Sequence, residues 1–178
     1  KGSYTTCTQC DTPTQWFLNG NVCQHPSLPT TIPDFYGGNT ISGLVEPCAD
    51  LQCKLCKPNK SVCTECKTDS GWYLNVNVCQ HATLSPPFPP SNGPDLVSKT
   101  VRPCSSPNCL ACLTDYSKCT ACNTGAGWYL NAALNNCQAP APAGVAPYRM
   151  VPGTGASVAN GQVAACISPN CANCFANY

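Results

Sequence analysis

The stretch CADLQCKLCKPNKSVCTECKTDSGWYLNVNVC, residues 48–79, decides how the rest of the chain is read. Its cysteines follow the pattern C-x4-C-x2-C-x6-C-x2-C-x12-C from Cys48 to Cys79. The segment from Cys104 to Cys137 repeats the pattern with two residues added in its last loop. Trp16, Trp72 and Trp128 stand 56 residues apart, as do Cys7, Cys63 and Cys119, and Cys10, Cys66 and Cys122. The text around each Trp recurs too: Trp16-Phe17-Leu18-Asn19, Trp72-Tyr73-Leu74-Asn75 and Trp128-Tyr129-Leu130-Asn131. A Cys-Gln pair closes each copy, at Cys23-Gln24, Cys79-Gln80 and Cys137-Gln138. A fixed period of this kind marks a repeat architecture.

Composition fits that reading. The chain has 178 residues and 18 cysteines, the density of a disulfide scaffold. Thiols are kept reduced in the cytosol, so such a chain is expected outside the cell or in the secretory pathway. Leu, Ile, Val and Phe together number 30 residues, too few for one large apolar core. Several small cores are expected instead, each held by disulfides worth about 2–4 kcal/mol apiece. Charged residues make up only 10%, with a net charge of +1, so no basic stripe points to nucleic acid. A surface this poor in charge must be wetted by neutral polar residues, covered by glycans or buried in an assembly. No apolar run is long enough for a transmembrane helix.

The expected fold is a set of small disulfide-rich repeat modules made of short β-ribbons and irregular chain. Little or no helix is expected, in an elongated tandem array. Complete modules occupy 48–79 and 104–137. Residues 1–23 carry the last three cysteines of a module, and residues 166–178 the first three of another. Pro-rich connectors fill 24–47 and 80–103, and a Pro/Ala/Gly-rich one fills 138–165. Their prolines, such as Pro26, Pro29, Pro33, Pro86, Pro87, Pro89 and Pro90, favour extended, semi-rigid polyproline geometry. Gly37-Gly38 and Asn92-Gly93 punctuate them as turns.

Chemical motifs are sparse. Cys53-x2-Cys56 with Cys63-x2-Cys66 could form a four-thiolate zinc site, but the six-residue gap is short for one. Two further cysteines per module keep register, which favours disulfides and implies no metal or other cofactor. A redox reading of C-x2-C needs a βαβ context that is not visible. His25 and His81 follow Cys-Gln at equivalent positions, where the third copy has Ala139, so they read as surface or packing residues. No catalytic fingerprint is found, and the chain is not expected to be an enzyme. Trp16, Trp72 and Trp128 are read as module core, with a contact surface as the other possibility. Asn59-Lys60-Ser61 is the one N-glycosylation sequon. Thr30, Thr31, Thr83 and Ser85 lie in Ser/Thr/Pro clusters of mucin-like composition, where O-linked sugar is expected.

Pro103-Cys104, Cys109-x2-Cys112, Cys119-x2-Cys122 and Gly127-Trp128-Tyr129-Leu130 resemble the furin-like, growth-factor-receptor-type cysteine-rich repeats, most of all those of ciliate and other protist surface proteins. Six cysteines allow 15 connectivities. The resemblance implies one of them: first to third, second to fourth, and fifth to sixth. Carried over, this gives Cys48–Cys56, Cys53–Cys63, Cys66–Cys79, Cys104–Cys112, Cys109–Cys119 and Cys122–Cys137. In the partial modules it gives Cys10–Cys23 and Cys166–Cys174.

That pairing sets aside Cys7, a fourth cysteine, and Cys171, a second cysteine. Joining residues 166–178 of one copy to residues 1–23 of the next would rebuild a six-cysteine module. A head-to-tail homopolymer with a Cys7–Cys171 junction is therefore expected; alternatively, the same junction lies within one longer polypeptide. The expected role is a glycosylated, disulfide-linked building block of a cell-surface coat, fibre or filament. The alternative is a receptor- or antigen-like ectodomain that binds a protein or glycan.

Overall fold

A computed structural model describes residues 6–28, 31–140, 149–168, 171 and 174. Among these residues there is no α-helix. The ordered elements are strands of two to four residues and three 3-10 turns, Thr12–Thr14, Thr68–Ser70 and Thr124–Ala126. Contacts divide the chain into two compact units, residues 1–86 and 87–178. Both are built from the same parts.

Each complete module begins with a short ribbon that carries two half-cystines side by side. Cys53–Leu55 pairs antiparallel with Glu65–Cys66, placing Cys53 opposite Cys66, and Cys109–Ala111 pairs with Ala121–Cys122 in the same way. A 3-10 turn follows and ends in the left-handed region, at Gly71 (φ 79°) and Gly127 (φ 78°). Glycine adopts that conformation without steric cost, so it releases the chain directly into a strand. The first partial copy places Gln15 there instead (φ 64°).

The recurring Trp-aromatic-Leu-Asn text then forms one arm of a closing hairpin. Phe17–Asn19 pairs with Val22–Gln24, Trp72–Asn75 with Val78–His81, and Tyr129–Asn131 with Asn136–Gln138. The structure shows why Asn and Gln recur together. The Asn side chain donates across the hairpin to the Gln side chain, at 2.9 Å for Asn19–Gln24, 2.8 Å for Asn75–Gln80 and 3.1 Å for Asn131–Gln138.

Eight disulfides are closed: Cys10–Cys23, Cys48–Cys56, Cys53–Cys63, Cys66–Cys79, Cys104–Cys112, Cys109–Cys119, Cys122–Cys137 and Cys166–Cys174. They are the core. In module 48–79 the six half-cystines and Trp72 form one buried cluster, with Leu74 packed against it. In module 104–137, Trp128, Leu130 and Tyr116 pack against five buried half-cystines. The disulfides also stack on one another. Cys63 Sγ lies 3.4 Å from Cys79 Sγ, and Cys119 Sγ 3.2 Å from Cys137 Sγ.

The connectors depart from the expected polyproline geometry. Each contains a β-hairpin: Tyr36–Gly38 with Val45–Pro47, Asn92–Asp95 with Thr100–Pro103, and Thr154–Ser157 with Gln162–Ala165. The three hairpins share one turn. Its last residue has positive φ at Gly43, Lys99 and Gly161. The N–H of that residue donates back to Asn39, Asp95 and Ser157, at 2.8, 2.8 and 3.0 Å. The side chains of Asn39 and Asp95 cap the turn by accepting from the backbone N–H groups two residues on, at Ile41 and Val97. Proline is present but placed where a ladder tolerates it: Pro47 and Pro103 end their strands.

Each connector also buries a large apolar side chain that sequence reasoning missed: Ile32 (0% exposed), Phe88 (7%) and Met150 (6%). Each stands five residues before an equivalent glycine, Gly37, Gly93 or Gly155.

Candidate functional site

The recurring structural feature is the connector hairpin, which bonds to neighbouring modules within each unit. On the preceding side, the turn residue of the hairpin accepts from the central Leu of the closing hairpin. Leu18 donates to Gly43 at 2.9 Å, and Leu130 donates to Gly161 at 2.9 Å. These contacts sit in parallel bridges, Leu18 with Leu44 and Leu130 with Gln162.

On the following side, the first strand of the hairpin lies against the loop closed by the first-to-third disulfide. In the first unit, Phe35 donates to Lys54, Gly38 to Lys57, Lys60 to Gly38 and Cys48 to Phe35, at 2.8–3.1 Å. In the second unit, Cys104 donates to Ser91 at 2.8 Å, Tyr116 to Pro94 at 2.9 Å and Cys166 to Gly153 at 2.8 Å. Gly155 forms a parallel bridge with Cys174 in the same arrangement. The approach is too close for any side chain. A Cβ on Gly37 would lie 2.1 Å from the Cys56 carbonyl oxygen, and one on Gly93 would lie 2.0 Å from that of Cys112. Gly38 is likewise filled by its neighbour, since a Cβ there would meet the Phe17 ring at 2.3 Å.

Three equivalent positions fasten the hairpin by different chemistry in the two units. In the first, Glu46 accepts from Asn39, Ser42 and Lys60. In the second, Arg102 donates to Asp95 at 3.0 Å and stacks 5.1 Å above the Tyr116 ring. The Lys60 ammonium, with Ser42 and Asn39, holds the Glu46 carboxyl down at about 2. The Arg102 guanidinium, with Ser98 and Val97, does the same for Asp95. Both folded values lie below the ordinary 4.5 and 3.8. The contribution is therefore fully present above the ordinary carboxylate range and is lost as pH falls through it toward 2. We expect the urea midpoint, followed by Trp fluorescence, to be flat from pH 7 to about 5 and to fall between about 4 and 2. Glu46→Gln should flatten most of the part belonging to the first unit. An unchanged acid limb in that variant would contradict the assignment.

The other sequence-derived residues have definite places. Trp72 is buried against its own disulfides, while Trp16 and Trp128 are half-buried. His25 and His81 lie against Trp16 and Trp72 with ring centroids 5.3 Å apart. Their Nδ1 atoms accept backbone N–H groups, from Ser27 for His25, and from Thr83 and Leu84 for His81. They therefore fasten the chain that leaves each closing hairpin. Five groups of three cysteine sulfurs lie within 4.8 Å of one another: Cys7, Cys10 and Cys23; Cys48, Cys53 and Cys56; Cys53, Cys63 and Cys79; Cys109, Cys119 and Cys137; and Cys166, Cys171 and Cys174. In the second, third and fourth groups every sulfur is a disulfide sulfur, which carries no thiolate charge for a metal. Asn59 is half-buried and accepts from the Ser61 N–H at 2.9 Å. Thr31, Thr83 and Ser85 are exposed; Thr30 lies outside the described residues.

A shallow groove recurs where closing hairpin and connector turn meet. Thr8, Thr12, Leu18 and Gly43 line it in the first unit, and Thr120, Thr124, Leu130 and Gly161 in the second. Among the described residues no helix is long and apolar enough to cross a membrane. No family model, curated protein or solved structure matches this chain.

Proposed function

We propose that this chain is an extracellular structural repeat protein, a building block of a cell-surface coat or fibre. The observation that carries the reading is the connector hairpin. A flexible tether would leave modules free to present themselves separately. Here each hairpin bonds backbone to backbone with a neighbour, in both units. Main-chain bonding of this kind holds spacing and resists bending without demanding particular side chains.

Eight disulfides suit an oxidising compartment. The exposed hydroxyls of Thr31, Thr83 and Ser85, and the sequon at Asn59, supply attachment points for glycans that would wet a charge-poor surface. The role needs no cofactor and no catalytic group.

The second reading, a binding ectodomain, draws on the hydroxyl-lined groove that recurs at the repeat period. The two are separated by labelling unpermeabilised source cells with gold-conjugated antibody against the exposed hairpin turns at Ile41 and Val97. A structural block gives a continuous layer or evenly spaced decoration along a fibre. Sparse clusters that disperse on addition of soluble glycan would contradict the structural role and favour the receptor.

A further inference from the structure

Phe35 carries a ring that its place in the hairpin does not require. It immediately precedes the connector hairpin of the first unit and holds the left-handed backbone region at φ 69°, where the equivalent residues are Ser91 (57°) and Gly153 (83°). That conformation is rare for a bulky side chain and costs it energy. Its backbone does the same work as theirs. The Phe35 carbonyl accepts from Cys48 at 2.9 Å, as Ser91 accepts from Cys104 and Gly153 from Cys166. A small residue suffices for that contact, yet here a ring is kept and is 47% exposed.

The ring lines a cavity of about 160 Å3 together with Pro47, Asp50, Leu51 and Lys67. Leu51 is 80% exposed, so the cavity is open to water on that side. Lys67 Nζ lies 5.3 Å from the Phe35 ring centroid and donates to the Leu51 carbonyl at 2.8 Å. An ammonium has three donors, so two are left for a ligand. Lys54, Lys57 and Lys60 each meet a carboxylate, those of Glu65, Asp34 and Glu46. Lys67 meets none among the described residues; its partners are the ring and the carbonyl. The carboxylate of Asp50 is turned to the backbone, accepting from the Gln52 and Cys79 N–H groups at 2.8 Å each. The module fold does not depend on this set. In module 104–137 the equivalents of Phe35, Leu51 and Lys67 are Ser91, Pro107 and Asn123, and Asn123 is spent on the Ala126 N–H.

We propose that this cavity binds a six-membered sugar ring bearing a carboxylate, one unit of an acidic glycan. A cavity near 150 Å3 admits about one such ring. Because the cavity is open, the ligand needs an apolar face inward and a polar face outward. A pyranose has both, whereas an apolar peptide side chain would leave its outer face wet. Its C–H face would lie on Phe35 and Leu51, and its carboxylate would take a charge-assisted hydrogen bond from Lys67. This site lies outside the hydroxyl-lined groove and does not rest on the structural role.

The test is a titration of the full disulfide-intact chain, labelled with nitrogen-15, followed by amide chemical shifts. Three probes are compared: methyl glucuronide, the uncharged methyl glucoside, and a capped phenylalanyl-glutamate dipeptide. We expect the glucuronide to shift the amides of Phe35, Leu51 and Lys67 with a millimolar Kd. The glucoside should bind about tenfold or more weakly. Leu51→Ser and Lys67→Gln should each weaken glucuronide binding by about the same factor, while the spectrum shows that the fold persists. Ile41→Ser, at an exposed position outside the cavity, should leave it unchanged. No shift at these amides, equal binding of glucuronide and glucoside, or equal binding by Lys67→Gln and Ile41→Ser overturns the site. Tighter binding of the dipeptide overturns the sugar in favour of a peptide. None of these outcomes alters the cell-surface labelling pattern, so failure of the site and failure of the structural role are told apart.

Discussion

Replacing Gly93 by alanine is expected to destabilise its unit by about 3 kcal/mol, at the upper end of what overpacking costs. The added Cβ would fall 2.0 Å from the Cys112 carbonyl oxygen and 2.7 Å from Cys112 Sγ. Neither atom can move away, because Cys112 is tied to Cys104 by a disulfide and lies in the loop that the hairpin bonds to. The hairpin itself must lift, and the bonds from Cys104 to Ser91 and from Tyr116 to Pro94 should open. Gly37→Ala should behave alike in the other unit. Gly125→Ala is the control: the nearest atom to its new Cβ would be 3.6 Å away, an ordinary contact. That variant should stay within about 0.5 kcal/mol of the parent. Denaturant unfolding with the disulfides intact measures both. A neutral Gly93→Ala would mean that the hairpin does not pack on the disulfide loop.

The second large effect is expected at Ile32. Its side chain is fully buried in a unit with few apolar residues to spare. Truncation to alanine should cost about 3 kcal/mol from lost burial and the cavity left behind. Because Ile32 precedes the hairpin at 36–47, the loss should appear first as faster amide exchange at Gly38 and Cys48. Exposed Ile41, 96% accessible at the hairpin turn, is the comparison; Ile41→Ala should leave stability within about 0.5 kcal/mol of the parent.

Ile32 also shows where the sequence stopped being legible. Cysteine spacing places the modules directly, because covalent staples leave a strict numerical trace. The Trp repeat locates the closing hairpins for the same reason, and Trp72 does pack on its own module's disulfides. The connectors leave a weaker trace. Their apolar residues are interleaved with prolines and follow no clean alternation, and proline reads locally as extended chain. What decides their fold is tertiary: a carbonyl at the right place on a disulfide loop, met by a residue without a side chain. Gly37 and Gly93 carry that information, but each reads locally as a turn residue.

Pro94 illustrates the difficulty. It cannot donate as its equivalent Gly38 donates to Lys57, yet its carbonyl accepts from Tyr116 as Gly38 accepts from Lys60. Half of the backbone pairing survives, which suffices for a strand. The fastening residues are harder still to read. Asn39, Glu46 and Lys60 in one unit are replaced by Asp95, Arg102 and Tyr116 in the other, so the contact persists while the residue types change. The one usable signal was positional: an apolar residue five places before each glycine, at Ile32, Phe88 and Met150.

The central claim is that the Pro-rich connectors are folded parts that pack on the modules of their own unit. Amide hydrogen exchange on the native, disulfide-intact chain tests it most directly, read at Leu18, Gly38, Lys60, Cys104, Tyr116 and Leu130. Leu18, Gly38, Lys60, Tyr116 and Leu130 donate across a contact between a connector hairpin and a module, and Cys104 extends its hairpin's ladder into the first cysteine of the module. The account predicts that all six exchange on the order of a hundredfold or more slowly than an unstructured peptide, at rates close to those of the modules. Exchange of these amides at unstructured-peptide rates, beside protected amides within modules 48–79 and 104–137, would contradict it.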